Sequence, residues 1–430
     1  MELLFERRRI LLLFLALTST VLLTIITPYY YYRKSHVQYV LWETSTSTST
    51  SVSPSVSPES VHPRKIAGSG RMCNAFSGEW VPNPNAPYYT NESCWAIHEH
   101  QNCRKYGRPD AEFLKWRWKP NDCELPLFNA AQFLEILRGK SLAFVGDSVA
   151  RNHMQSLMCF LNRVTYPVDV SHTSDEKYTR WSYTSHSFTL AFFLSQFLVK
   201  AVEADQNGPT NTGLFNLLLD EPDGWSTQIS EFDYVIVSAG HWFFRPMIFS
   251  EKKQVVGCHF CLRENIKDLT KYYGFRMAFR TAFKALNGLN GFKGVIFLRT
   301  FAPSHFEGGD WNNGGNCLRR MPLRNNETRL DGFNLELYMI QMEEFRRAEK
   351  EGRERGMKYR LMDITEAMLL RPDGHPSIYG HWPNENVTLY NDCVHWCLPG
   401  PIDTFNDFLL HMLMMERRGR TADSISGRVY

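Results

Sequence analysis

Three residues far apart in the chain have the chemistry of a nucleophile and its base: Ser148 in Gly146-Asp147-Ser148, with Asp392 and His395 in Asp392-Cys393-Val394-His395. A serine hydroxyl is a weak nucleophile until a neighbouring imidazole takes its proton, and the imidazole does so best when a carboxylate fixes its tautomer. The three-residue spacing of Asp392 and His395 lets the carboxylate accept a hydrogen bond from Nδ1 in a tight turn, leaving Nε2 as a base. The chemistry such a set supports is acyl transfer through an acyl-serine. Each piece also has a plainer explanation: Ser148 serves as a helix cap, and the Asp–His pair is a structural histidine held by its neighbour. Only their joint placement separates the two.

For these groups to meet, the chain must carry them to one edge of a common frame. Gly146-Asp147-Ser148 follows the apolar run Ser141 to Val145 and precedes VARNHMQSLMCFL, where Met154, Leu157, Met158 and Leu161 recur at helical spacing. Ser148 therefore belongs at a strand-to-helix junction, where unpaired N–H groups of the new helix face incoming negative charge. Further buried-strand runs are Tyr234 to Ser238, Gly294 to Arg299 and Tyr359 to Met362, with helical or loop sequence between them. That alternation predicts an α/β fold with a parallel central sheet, which binds ligands beyond the carboxyl ends of its strands. NAAQFLEILRG predicts a helix closed at Gly139, and Phe333 to Arg355 a long helix whose run EEFRRAEKEGRER is a solvated face. Asp392 and His395 lie on a loop flanked by Cys393 and Cys397 and stopped by Pro399 to Pro401 before a final helix.

Beside these motifs stand His241, Trp242, Phe243, Phe244, Trp311 and Trp396. Flat rings of this kind stack on pyranose faces, so His241, Trp242, Trp311 and Trp396 are candidates for a glycan groove. Core packing competes for every one of them. Cys258-His259-Phe260-Cys261 has the look of a redox or zinc motif, but no thioredoxin-like strand precedes it and no second two-cysteine motif stands at zinc spacing. A local Cys258–Cys261 disulfide is the expectation, with no metal.

The 430 residues, 43% hydrophobic and 22% charged, are the composition of a globular protein, and a formal charge of +3 is too small for a nucleic-acid partner. Residues 1–9 read as a cytosolic tail ending in Arg7, Arg8 and Arg9. The apolar run Ile10 to Ile26 reads as one membrane-spanning signal anchor (10–28), followed by Tyr29 to Tyr32 as an aromatic belt. The type II orientation follows, although Arg33 and Lys34 beyond the belt weaken the charge bias. The stretch 29–71, with its tract TSTSTSTSVSPSVSPE, has almost nothing to bury and reads as a stem. Residues 72–127 form a small cysteine-stapled subdomain, 128–420 the α/β domain and 421–430 a flexible tail. All ten cysteines follow Arg71, an even count suited to an oxidising compartment, and sequons at Asn91, Asn326 and Asn386 agree with it.

Gly-Asp-Ser after the first strand and Asp-x-x-His near the C-terminus resemble the layout of SGNH/GDSL-type esterases. More closely, CNAFSGEWVPNPNAPYY, CRKYGRPDAEFLKWRWKPNDCELP, FVGDSVARN, VSAGHWF, FLRTFAPSHFEGGDWNNGGNC and DCVHWCLPGPIDTFNDFLL resemble the plant trichome birefringence-like family of polysaccharide O-acetyltransferases. The resemblance implies a three-layer αβα, SGNH-hydrolase-like fold, with Ser148, Asp392 and His395 as a catalytic triad. It implies transfer of acetyl from a co-substrate, acetyl-CoA or an intermediate acyl carrier, to a cell-wall hemicellulose. FAPSHFEGG and VVGCHFC look most like the branches acting on xyloglucan and mannan, with xylan behind them. It also implies the Golgi membrane, a lumenal site and partners in acetylation, with no bound cofactor. Arg151, Asn152 and Gly240 are the oxyanion candidates beside the Ser148 N–H, although Gly240 equally suits a turn. The resemblance further suggests bridges Cys73–Cys123, Cys94–Cys159, Cys103–Cys393 and Cys317–Cys397. An acetylesterase and a non-catalytic wall-glycan binder remain the rival readings.

Overall fold

The first long buried strand and its neighbours explain where the ligand edge must lie. The computed structural model describes residues 74–172, 177–204, 213–261, 263–382 and 390–426, all within one compact unit, Arg71–Tyr430. Its strands are β1 Gly78–Pro82, β2 Trp116–Pro120, β3 Ser141–Gly146, β4 Val168–Asp169, β5 Tyr178–Tyr183, β6 Phe188–Leu194, β7 Val199–Glu203, β8 Phe215–Pro222, β9 Tyr234–Ser238, β10 Met247–Glu251, β11 Gln254–His259, β12 Val295–Arg299 and β13 Lys358–Met362. The helices are α1 Ala130–Ile136, α2 Ser148–Leu161, α3 Thr270–Asn287, α4 Gly332–Arg353, α5 Thr365–Leu369 and α6 Thr404–Ser426.

A seven-stranded sheet runs β13-β12-β9-β3-β6-β5-β4. The five strands β13, β12, β9, β3 and β6 are mutually parallel, whereas β5 and β4 are antiparallel to their neighbours. The expected parallel central sheet is thus made of five strands, with an antiparallel edge added at β5 and β4. Strand β3 has β6 on one side and β9 on the other, so the strand order reverses around it, and the crevice beyond its carboxyl end is the switch point where such sheets bind ligands. Ser148 stands there.

Side-chain alternation divides the sheet's two faces. Leu142, Phe144, Leu190, Phe192, Ile236 and Phe297 point into one core with α1, α2 and α6. Ala143, Val145, Phe193, Val237, Ile296 and Leu298 point into a second core with α3 and α4, which completes the three layers. The second core is also closed by a four-stranded sheet, β11-β10-β8-β7. Its strands carry exposed polar positions and a bulge, so their apolar patterning is weak, and it was not foreseen in the sequence.

The N-terminal segment adds to the first core instead of building its own. Trp80 and Trp118 face each other across the antiparallel β1–β2 pair, and Trp80 Nε1 donates to the Ala367 carbonyl at 2.8 Å. Cys94–Cys159 ties the segment to α2. Cys258–Cys261 forms as expected. The other two bridges exchange partners relative to expectation: Cys103 bonds Cys397 and Cys317 bonds Cys393. The reason is the path of the return loop. Its start backs onto the segment after β12, with His305 N–H donating to the Cys393 carbonyl at 3.1 Å, while its end docks on the N-terminal segment, with Leu398 N–H donating to the Gln101 carbonyl at 2.9 Å. The Cys73–Cys123 expectation involves Cys73, which lies outside the described residues, although Cys123 is itself disulfide-bonded.

No helix among the described residues is long and apolar enough to cross a membrane; the run Ile10 to Ile26, the stem, Asn386 and the last tail residues lie outside them. Asn326 is exposed and Asn91 partly so. Peptide mapping under non-reducing conditions is expected to recover Cys103 linked to Cys397 and Cys317 linked to Cys393, and recovery of the exchanged pairs would contradict this path of the loop.

Candidate active site

The corner after β3 is sterically demanding. A Cβ at Gly146 would lie 1.7 Å from the Ser238 carbonyl oxygen, so glycine is what lets β3 close on β9 here. Asp147 then caps α2. Its Oδ1 accepts from Val149 N–H at 3.0 Å, and its Oδ2 accepts from Gly240 N–H at 2.9 Å and His241 N–H at 3.3 Å. One buried carboxylate thus ties the Ser148 corner to the loop after β9. Beneath it, the fully buried Arg299 at the end of β12 donates to the Val149 carbonyl and to Ser238 Oγ. Burial pushes this guanidinium down to about 10, against the attraction of Asp147, so it stays charged.

The return loop is fastened residue by residue. Asp392 and Ser377 exchange backbone hydrogen bonds of 2.8 and 3.0 Å. Asp392 Oδ1 accepts from the N–H groups of Val394 at 3.1 Å and His395 at 2.9 Å, which aims Oδ2 at His395 Nδ1, 2.8 Å away. His395 Nε2 then lies 2.7 Å from Ser148 Oγ. The next residue, Trp396, is locked by α2: its N–H donates to Asn152 Oδ1 at 2.9 Å and its carbonyl accepts from Asn152 Nδ2 at 3.2 Å. From the other side, Arg108 of the N-terminal segment donates to the carbonyls of Asp373 and His375 at 2.5 and 2.9 Å.

Electrostatics favour an ion pair within this set. Burial works against an imidazolium at His395, yet the charge and hydrogen bond of Asp392, with help from Asp147, outweigh it and the repulsion of Arg151, so its pKa is raised. Burial also works against the Asp392 carboxylate, but the imidazole and the two backbone donors hold it well below the usual range. The folded protein holds the His395 proton more tightly than the unfolded chain. This interaction therefore stabilises the fold below the unfolded imidazole pKa and fades as pH rises through the raised folded value.

Ser148, His395 and Asp392 open into a cleft of about 410 Å³ lined also by His241, Trp242, Phe244, Lys271, Trp311 and Phe333. Its cations lie on rings: Arg245 over Trp242 at 4.2 Å, and Lys271 over Phe244 at 4.4 Å. Burial pushes His241 down to about 4, so it faces the cleft as a neutral ring. Among the described residues, no group of His, Cys, Asp or Glu gathers as a metal site.

The candidate residues thus divide. His241, Trp242 and Trp311 line the cleft, but Trp396 is fully buried behind the loop, stacked on His375 at 4.0 Å. Asn152 Nδ2 donates one of its N–H groups to the Trp396 carbonyl, and the Gly240 N–H donates to Asp147 Oδ2. Arg151 is partly exposed and close enough to His395 to influence its charge. The Ser148 N–H opens α2 and has no partner within the helix by construction. Asp147, Arg299, Arg108 and Lys271 were missed as site residues. The signals available were the Gly-Asp-Ser motif itself for Asp147 and, for Arg299, a charged residue closing an apolar strand.

A strand, a Gly-Asp-Ser corner and a facing Asp–His loop on an αβα frame define the GDSL/SGNH-like acyl-esterase class. Residues 125–412 match the PC-Esterase model, described as the GDSL/SGNH-like acyl-esterase family found in Pmr5 and Cas1p, and residues 71–124 match the PMR5 N-terminal domain. The chain belongs to this family, as a trichome birefringence-like protein. It is 59% identical to Protein trichome birefringence-like 19 of Arabidopsis thaliana over 82% of this chain and 83% of that one. It is 46% identical to Xyloglucan O-acetyltransferase 4 of Populus trichocarpa, over 79% and 81% of the two chains. With xyloglucan O-acetyltransferase 2 of Arabidopsis thaliana the identity is 41%, over 80% and 83%.

Asn152→Ala strands the buried N–H and carbonyl of Trp396 without partners. Urea unfolding is expected to show a loss of about 2–4 kcal/mol, and a change below about 0.5 kcal/mol would contradict the lock described for this loop.

Proposed function

We propose that this protein transfers acetyl groups to hydroxyls of a hemicellulose, xyloglucan first, through an acetyl-serine at Ser148. The observation that carries the reading is the 2.7 Å contact of His395 Nε2 with Ser148 Oγ, with Asp392 on the far side of the ring and a cleft open in front. Two xyloglucan O-acetyltransferases among the similar proteins support the acceptor class.

The chemistry follows from the geometry. His395 Nε2 takes the Ser148 proton as Oγ attacks the acetyl carbonyl carbon of the donor, acetyl-CoA or an acyl carrier. The resulting oxyanion forms beside the Ser148 N–H at the positive end of α2. Collapse expels the donor's leaving group, which takes the proton from His395, and leaves Ser148 acetylated. A sugar hydroxyl then attacks the acetyl-serine while His395 accepts its proton, and the second collapse returns a proton to Ser148 Oγ. Asp392 holds the ring and balances the imidazolium in both halves. Trp242 and Trp311 offer apolar faces to pyranose rings, which favours a glycan acceptor over water. We place the reaction in the Golgi lumen, behind a single N-terminal anchor. The disulfide-bonded cysteines and the exposed sequon Asn326 support an oxidising, glycosylating compartment.

The full-length protein, given an acetyl donor and unacetylated xyloglucan oligosaccharides, is expected to acetylate them, and Ser148→Ala to abolish transfer. Release of acetate with no transfer would make it an esterase instead, and glycan binding without turnover a binder. Asp392→Asn is expected to lower kcat by about 10⁴-fold by leaving the wrong tautomer; a loss under tenfold would remove Asp392 from the mechanism. Because His395 must be neutral to act as a base, kcat/KM is expected to rise with pH to a midpoint above the ordinary imidazole value. A profile flat across that range would contradict this role.

A further inference from the structure

Directly behind His395, the buried imidazole of His375 and the half-buried one of His305 form a chain with a backbone carbonyl at each end. His375 Nδ1 lies 2.6 Å from the His395 carbonyl oxygen. His375 Nε2 lies 2.7 Å from His305 Nδ1, and His305 Nε2 lies 3.0 Å from the Leu369 carbonyl oxygen. Carbonyls only accept, so the two outer contacts each need a proton on the ring nitrogen. The central contact needs one as well. Two neutral imidazoles carry two protons, and three contacts require three. A neutral pair must therefore set two lone pairs against each other at one of these short distances.

The surroundings pull both ways. Burial pushes His305 down to about 4 and His375 well below the ordinary value. The mutual repulsion of the two rings and the nearby His241 also disfavour a charge on His375, and Arg319 one on His305. Favouring it are Asp373 and Glu307 towards His305 and Asp392 towards His375. Two of these carboxylates already face cations, Asp373 the buried Arg371 and Glu307 the exposed Arg319. Arg108 donates to the His375 carbonyl. The indole of Trp396, stacked on His375 at 4.0 Å with planes 29° apart, offers a π face to a cation.

We propose that His305 and His375 share three protons as one imidazole–imidazolium pair, and that this pair is a positioning element for His395. In the protonated form all three hydrogen bonds close, and the His395 backbone is held from behind while Asp392 holds its ring from the side. When the third proton leaves as pH rises, one contact becomes repulsive and the hold on the His395 carbonyl loosens. Neither histidine itself lines the cleft, so their effect on turnover passes through the placement of His395. That consequence rests on the acyl-transfer reading above; the proton count does not.

Nuclear magnetic resonance of the full-length protein with isotope-labelled histidine rings counts these protons directly. Signals are assigned by their loss in His305→Gln and His375→Gln. Three ring N–H protons on the two residues in mildly acidic buffer, one lost in a single step on raising the pH, are expected. Two protons throughout the range in which the protein stays folded would overturn the proposal, whether or not the protein transfers acetyl. For turnover, His305→Phe removes the donor to His375 Nε2 and is expected to lower kcat by about tenfold or more with KM little changed. The amide nitrogen of His305→Gln offers two donors without ionising, so it is expected to restore kcat and to remove the dependence on this titration. Equal losses in both variants would contradict the positioning role.

Discussion

The reaction proposed for this molecule depends on holding one imidazole 2.7 Å from one hydroxyl, although the two residues are separated by most of the α/β domain. A hydrogen bond of this length tolerates little error, since a displacement of about 1 Å at a reacting group can cost a hundredfold in rate. Ser148 is the easier half. It sits where β3 meets α2, and the crowding at Gly146 together with the Asp147 cap leaves that corner few ways to move. His395 is the harder half, because it lies on a loop, and loops acquire fixed geometry only from what they touch.

That loop is held by several independent kinds of interaction. Two disulfides pin its ends to different parts of the molecule, Cys393 to Cys317 and Cys397 to Cys103. The Ser377 bridge sets the strand-like direction of Asp392, and Asn152 measures the distance to α2 from within the core. Arg108, reaching from the N-terminal segment, satisfies carbonyls that would otherwise be buried unpaired. This gives the N-terminal segment a physical reason to accompany the α/β domain: it shares that domain's core and supplies two of the restraints on the His395 loop.

Much of this frame was legible in the residues. The four apolar runs read as buried strands became β3, β9, β12 and β13, and the long amphipathic stretch became α4, because short apolar runs and helical stripes are local signals. The Gly-Asp-Ser corner and the Asp-x-x-His turn were legible for the same reason, each being a short stretch whose geometry is set by its neighbours. The apolar run that became β6 escaped although its signal is local; the rest of what escaped was non-local. The four-stranded sheet has exposed, irregular strands, and at the antiparallel edge β4 has only two residues while β5 is half-buried along most of its length with no apolar alternation. The disulfide partners depended on which end of the loop docks where, and that is decided by Gln101 and His305, far away in sequence. Trp396 shows the limit most plainly: beside a catalytic motif an aromatic reads as a binding surface, yet this one fills the space behind the loop and is fully buried. Asn152 and Gly240, one turn from Ser148 and two residues beyond a strand end, read as oxyanion candidates from their position, and the structure adds that they help to hold the loop and the corner.

The division of labour that results is simple in physical terms. Hydrogen-bonded buried groups fix the loop, and an aromatic cleft with two ring-bound cations opens in front of Ser148 and His395, the two residues to which the proposed reaction assigns the chemistry. The most direct test is to supply the full-length protein with an acetyl donor and no acceptor, and to sequence the trapped adduct by mass spectrometry. A single acetyl group on Ser148, absent when His395 is replaced by Ala and discharged on adding oligosaccharide, is the expected result. Turnover with the acetyl group never found on Ser148, or found there undiminished without His395, would contradict it.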